Sequence, residues 1–247
     1  MKAFLLAAGY GTRLRPLTDT IPKCLVPVCG KPLLAHWFEL LEYHGVTDVY
    51  VNTHYLAEKV RDFISLHNSK NCGITAHEMY EEKLLGSGGT VKSGRNYVGD
   101  DDFLICYADN LTNMDLSALI KKHKESKPVL TMALFRTNKP EMCGIATLSG
   151  EIIADFTEKP KNPASNLANA GIYVASKELF DYLPDKEDID FGYDVLPALC
   201  GKMIGVEQDS YLIDIGTPDN YKSAQEDWKK YDNYKNSPES KLCRRRN

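Results

Sequence analysis

Short apolar runs alternate with amphipathic segments along the first half of the chain, and this alternation restricts the fold more than any other feature. Runs at 3–8, 48–52, 73–77, 103–108 and 129–135 have the length and composition of strands. Between them Leu33, Leu34, Trp37, Phe38 and Leu41 recur at helical spacing, as do Leu56, Val60, Phe63 and Ile64. Each set forms one apolar stripe to lay against a sheet. Pro32 stands where a helix takes a first-turn proline. Strand and helix in turn predict an α/β fold, a mixed and mostly parallel sheet with helices on both faces.

Beyond residue 135 the pattern shortens. Segments 144–148 and 151–157 read as two strands joined across Ser149 and Gly150, a hairpin and therefore an antiparallel part. Further strands are expected at 170–175 and 211–215, and a closing helix at 217–230. Residues 1–231 read as one catalytic domain. The polar stretch 232–247 lacks apolar periodicity and is expected to fray, with Lys241, Arg244, Arg245 and Arg246 as a solvated basic tail.

Charge and composition exclude several classes of function. The 247 residues are 43% hydrophobic, enough for a core and too many for a disordered or fibrous chain. Thirty Lys and Arg against 34 Asp and Glu leave a net charge of -4, without the basic field of a nucleic-acid binder. No apolar run approaches the roughly 20 residues of a membrane span, so neither nucleic acid nor membrane is expected as a partner. The opening MKAFLLAAG is too short in its apolar run for a secretory signal, and arginines follow at once. Seven cysteines without a CxxC pair suggest reduced thiols and a cytoplasmic protein. Homo-oligomerisation is left open. Six scattered histidines have no ligand spacing and read as structural or exposed.

The chemistry concentrates after the first strand. Gly9 and Gly11 let the backbone approach a ligand and offer N–H groups to phosphate oxygens, as in an anion cradle beyond the carboxyl end of a strand. A dinucleotide fingerprint would need glycine at Leu14 and a helix starting there, and the loop is not a Walker loop. Arg13 can hold two phosphate oxygens in parallel and stabilise charge building on phosphorus; Lys23 supplies a second cation. Asp109 and Asp214 lie at or near strand ends. If they converge, they make a Mg²⁺ site completed by phosphate oxygens.

The stretch LAAGYGTRLRPLT with IPKCLVPVCGKP closely resembles the signature of the sugar-1-phosphate nucleotidyltransferases, the nucleotide-sugar pyrophosphorylases. The resemblance continues in order through LLGSGGT (84–90), ADN (108–110), CGI (143–145), TEKP (157–160), NAGIY (169–173) and DIGTP (214–218). It implies a Rossmann-like nucleotide-diphospho-sugar transferase fold and the conversion of NTP and sugar 1-phosphate into NDP-sugar and pyrophosphate. It also implies roles. Leu6, Ala7, Ala8, Gly9, Gly11 and Thr12 would line the nucleotide, together with Gly86, Ser87 and Gly88. Arg13 and Lys23 would be catalytic, and Asp109 and Asp214 would hold Mg²⁺. Glu158 would take sugar hydroxyls and Lys159 the sugar phosphate, with Gly144 and Asn169 lining the sugar pocket. Ala108 stands where many relatives have glycine. The acyltransfer or regulatory functions that a C-terminal left-handed β-helix adds in some relatives are not expected.

The base is addressed by MYEEK before LLGSGGT, which offers Glu81 and Glu82 and no Gln. Guanine presents two adjacent donors, which suit a carboxylate. LLGSGGT also resembles the guanylyltransferases for mannose and D-glycero-D-manno-heptose 1-phosphates more than the thymidylyltransferases. GTP with a manno-configured heptose or hexose 1-phosphate is therefore the expected pair. The alternatives are a uridylyl- or thymidylyltransferase for glucose 1-phosphate, a cytidylyltransferase for a phosphorylated alcohol, and a non-catalytic regulatory homologue. A nicotinamide oxidoreductase lacks its glycine fingerprint here.

Overall fold

Strands and helices form close to where the apolar spacing puts them, in a computed structural model that describes residues 1–70 and 73–231. The expected fraying tail, 232–247, lies outside the described residues. In chain order the strands are β1 (Lys2–Leu6), β2 (Pro27–Val28), β3 (Lys31–Pro32), β4 (Asp48–Thr53), β5 (Thr75–Tyr80), β6 (Phe103–Tyr107), β7 (Asn110–Thr112), β8 (Leu130–Arg136), β9 (Gly144–Ser149), β10 (Ile152–Glu158), β11 (Leu167–Ala175), β12 (Met203–Glu207) and β13 (Leu212–Asp214). The α-helices are α1 (Leu33–Tyr43), α2 (Ala57–Ser69), α3 (Gly86–Ser93), α4 (Arg95–Val98), α5 (Leu116–Ser126) and α6 (Pro218–Asp227). None is long and apolar enough to cross a membrane, among the described residues.

The chain packs into two compact units, each assembled from separated stretches. The first comprises Met1–Phe4, Lys83–Cys106 and Asp115–Ser210; the second comprises Leu5–Glu82, Tyr107–Met114 and the described residues from Tyr211.

In the second unit β4 and β5 run parallel, with Asp48 opposite Thr75 and Thr53 opposite Tyr80. All five apolar residues of the predicted stripe on α1 are buried. Pro32 caps that helix in an extended conformation instead of occupying its first turn. On α2 Val60 and Ile64 are buried, whereas Leu56 stands just before the helix with a positive φ of 51°. The expected strand at 211–215 is three residues long and makes a two-stranded antiparallel ribbon with β7, with Asp214 opposite Asn110. Helix α6 starts at Thr217, whose hydroxyl accepts the Asn220 N–H, and carries Pro218 in its first turn.

In the first unit β11 is flanked by β6 and β8, antiparallel to both, and β12 lies parallel to β8. Residues Ile172 to Ala175 of β11 are fully buried, so this half of the strand does not alternate between buried and exposed positions. The hairpin expected across Ser149 and Gly150 forms as β9 and β10, with Gly150 at φ +64° in the turn. Parallel pairing thus holds for β4/β5 and β8/β12, while antiparallel ladders surround β10 and β11. The fold is α/β with mixed sheet pairing. Helix α3 is the least expected element, since Gly86, Gly88 and Gly89 are poor helix formers. Here the glycines give proximity: the Gly88 and Gly89 N–H groups donate to the Ile189 carbonyl at 2.7 and 3.3 Å, and a Cβ at Gly88 would lie 2.5 Å from Ile189 Cγ2.

Candidate active site

The segment after β1 folds into three short 3₁₀ turns, at Thr12–Leu14, Leu17–Asp19 and Lys23–Leu25, where the sequence suggests only a flexible loop. Gly11 has φ +66°, and a Cβ there would meet Thr18 Cγ2 at 3.0 Å and Lys23 Cβ at 3.3 Å. The Thr18 hydroxyl donates to the Gly11 carbonyl at 2.8 Å. Glycine at this position therefore lets the turn carrying Lys23 close against the start of the loop.

Lys23 projects into a pair of carboxylates within the second unit. Its Nζ is 2.7 Å from Asp109 Oδ2 and 2.9 Å from Asp214 Oδ1, and the side chain is only 9% exposed. Arg13 Nη2 approaches Asp214 Oδ2 at 3.4 Å and remains 62% exposed, available to an incoming anion. The β7/β13 ribbon brings the carboxylates together: Asn110 faces Asp214, and the Ile215 N–H donates to the Asp109 carbonyl at 3.1 Å. The convergence required of Asp109 and Asp214 is present. Burial pulls the Lys23 ammonium down, but Asp109 and Asp214 outweigh it and hold the pKa above the usual lysine range. Burial likewise pushes the Asp214 carboxyl up. Lys23, the Gly216 N–H and Arg13 reverse that and hold it below the usual aspartate range.

Among the described residues no three His, Cys, Asp or Glu side chains gather as a metal cage. Two hard carboxylates beside an exposed arginine are instead the donor set that suits Mg²⁺, which is commonly held by one or two carboxylates with phosphate oxygens and water.

Around the loop's origin the Ala7 and Ala8 N–H groups donate to Asn52 Oδ1, and Asn52 Nδ2 donates to Glu81 Oε1 at 2.9 Å. The Leu6 carbonyl accepts the Ala108 N–H at 3.1 Å. Glu81 is 5% exposed and belongs to this buried network, while Glu82 is exposed. Nothing surrounds the Gly9 Cα where a Cβ would project. Sequence reading missed Asn52; its only signal is an amide near the end of the apolar run in β4. It also missed the link from Tyr10 through His54, whose ring contacts the Tyr10 hydroxyl at 3.0 Å and the Glu81 carbonyl at 2.9 Å.

The remaining candidates lie in the first unit. Ser87 Oγ accepts the Phe191 N–H at 2.8 Å, and with Gly88 bound to Ile189 these groups tie α3 to the segment around 190. Glu158 ends β10 opposite Gly144, and a Cβ at Gly144 would lie 2.5 Å from Glu158 Oε2. Gly192, which the sequence does not signal, crowds the same oxygen, at 2.8 Å from its ideal Cβ. Burial pushes the Glu158 carboxyl up, against the opposing pull of Lys159, whose Nζ is 3.4 Å from Oε1. Asn169 donates to the Tyr173 hydroxyl at 2.6 Å and accepts the Gly171 N–H at 2.9 Å, across the register shift in β11. Gly144, Glu158 and Lys159 are thus brought together.

Residues 2–230, which span all of this geometry, match the family model described as Nucleotidyl transferase. The chain belongs to that family. Among Nucleotidyl transferase relatives, it is 32% identical to a UTP–glucose-1-phosphate uridylyltransferase from Synechocystis sp., over 91% of this chain and 62% of the relative. The chain thus spans about three fifths of that relative's length. It is also 32% identical to a D-glycero-alpha-D-manno-heptose 1-phosphate guanylyltransferase from Aneurinibacillus thermoaerophilus, over 94% of this chain and 100% of the relative. Among solved structures, HddC from Yersinia pseudotuberculosis complexed with GMP-PN superposes with a TM-score of 0.77 at 25% identity, covering 92% of this chain and 99% of that one.

Proposed function

We propose that residues 1–231 catalyse nucleotidyl transfer from a nucleoside triphosphate to a sugar 1-phosphate, with GTP and a manno-configured heptose or hexose 1-phosphate as the pair. The observation that carries the reading is Lys23 held between Asp109 and Asp214, with Arg13 exposed beside them. An oxygen of the sugar phosphate attacks the α-phosphorus in line. The bond from that phosphorus to the bridging oxygen breaks, and pyrophosphate leaves with the electron pair. No covalent intermediate is needed, so the protein contributes orientation and charge.

Each side chain has a place in that scheme. Arg13 holds the departing pyrophosphate, and Lys23 neutralises the reacting phosphates. Leu6, Ala7, Ala8, Gly9, Gly11 and Thr12 line the nucleotide. Asp109 and Asp214 hold Mg²⁺, which when bound supplies further positive charge to the phosphate oxygens. Glu158 accepts from sugar hydroxyls, Lys159 pairs with the sugar phosphate, and Gly144 leaves room for the Glu158 carboxylate. Asn169 shapes the sugar pocket through its bonds to Tyr173 and Gly171.

Support for guanine comes from the guanylyltransferase relative matched over its full length. The GMP-PN complex of a similar fold points the same way. A second reading, UTP with glucose 1-phosphate, is favoured by the equally identical uridylyltransferase. Comparing kcat/KM for GTP, UTP, dTTP and CTP against mannose, glucose and heptose 1-phosphates separates them. We expect the highest value for GTP with a manno-configured sugar. A preference for UTP or dTTP removes the guanine reading, and no pyrophosphate release with any pair removes the transferase reading.

A further inference from the structure

The Lys23 ammonium occupies an unusual position for a phosphate ligand. It donates to one oxygen of Asp109 and one of Asp214, at 2.7 and 2.9 Å, and its stem is buried. The same Asp214 oxygen accepts the Gly216 N–H at 2.8 Å, while the other oxygen of Asp214 is reached by Arg13 at 3.4 Å. Two carboxylates and two cations balance to zero. An ideal Cβ at Gly216 would lie 2.5 Å from Lys23 Nζ, so backbone closes on the ammonium from that side. The packing at Gly11 fixes the base of the side chain as well.

A divalent cation needs the same two carboxylates, and a dipositive ion placed beside a fixed ammonium meets strong repulsion in a half-buried site. We propose that Lys23 is an internal counter-ion that keeps divalent cations off Asp109 and Asp214 until a polyphosphate draws the ammonium away. This rests on the reading of those carboxylates as cation ligands. Lys23 then serves two anions in succession, the carboxylates in the free protein and the phosphates in the complex. A lysine can do so because its point charge sits on a flexible four-carbon stem, whereas an arginine fork is held by its geometry. Metal and nucleotide consequently enter together, and the nucleotide-free protein is a poor binder of divalent cations.

The test titrates Mn²⁺ into the full nucleotide-free chain and follows the loss of the free-ion electron paramagnetic resonance signal. We expect Lys23→Met and Lys23→Gln to bind Mn²⁺ roughly tenfold or more tighter than the unmodified chain, as removal of an adjacent like charge predicts. Lys23→Arg should bind no more tightly than the unmodified chain, since it keeps the charge. Adding Asp214→Asn to Lys23→Met should abolish the gain. Melting curves establish that each variant is folded; Lys23→Gln can still donate to a carboxylate, so it decides the matter if Lys23→Met does not fold. Unchanged Mn²⁺ affinity in a folded neutral variant, with Asp109→Asn and Asp214→Asn still abolishing turnover, overturns the counter-ion role and leaves the metal reading standing. A gain that survives Asp214→Asn puts the cation elsewhere and overturns both.

Discussion

Arg13 and Lys23 carry the same formal charge ten residues apart, yet their surroundings assign them different work. Lys23 is buried against two carboxylates, whereas Arg13 is mostly exposed and has one long contact to Asp214. A cation poised over solvent gains most where charge appears during the reaction. Arg13→Ala should therefore lower kcat by about a hundredfold or more, by analogy with the loss of an oxyanion donor. Steady-state rates at saturating substrates check this, and a change confined to the KM for the nucleotide would make Arg13 a binding residue. Glu158 offers a pH test. Burial holds its pKa above the ordinary value of roughly 4.3, and only the carboxylate accepts from hydroxyls at both oxygens. The acid limb of kcat/KM for the sugar phosphate should lie above that ordinary value, and Glu158→Gln should remove the limb while raising KM.

At the scale of elements, α3 shows how tertiary contact overrides local preference. A methyl group at Gly88 would sit 2.5 Å from Ile189 Cγ2 and 3.2 Å from the Ile189 carbonyl oxygen that the Gly88 N–H now reaches. Gly88→Ala should destabilise the protein by about 1–3 kcal/mol, as overpacking does, read from the urea midpoint. Its intrinsic helix propensity would predict the opposite sign. This is also why α3 was not legible in the sequence: its cause is a carbonyl about a hundred residues away in the chain. The β9/β10 hairpin was legible, because Ser149 and Gly150 and the flanking apolar runs carry their own local signal. The candidate site divides in the same way. Asp109 and Asp214 could be named from their positions near strand ends, but their convergence depends on the ladder between β7 and β13. Asn52 was hidden because a single amide in an apolar strand has no motif. Glu81 could be named for its chemistry, while its burial comes from Asn52.

For the molecule as a whole, the ion cluster ties stability to pH in a defined direction. Asp214 is held below its ordinary value, so its contribution is complete above an unfolded-state pKa of roughly 3.9 and is lost as pH falls through the native value. Lys23 is held above its ordinary value. Its contribution is complete below roughly pH 10.4 and is lost as pH rises through the native value. The melting temperature should therefore stay level across the neutral range, apart from other groups, and fall on both flanks. Lys23→Met should flatten the alkaline flank and weaken the acid one, because it removes the principal group lowering Asp214. Circular dichroism melts across pH in metal-free buffer check both slopes.

The bonds from Lys23 reach 86 residues along the chain to Asp109 and 191 to Asp214. Contacts of such sequence separation form late, since loop closure must be bought before they return anything. A nascent chain on the ribosome would thus carry Lys23 without its second carboxylate until β13 emerged, and the chemistry could switch on only at that stage of synthesis.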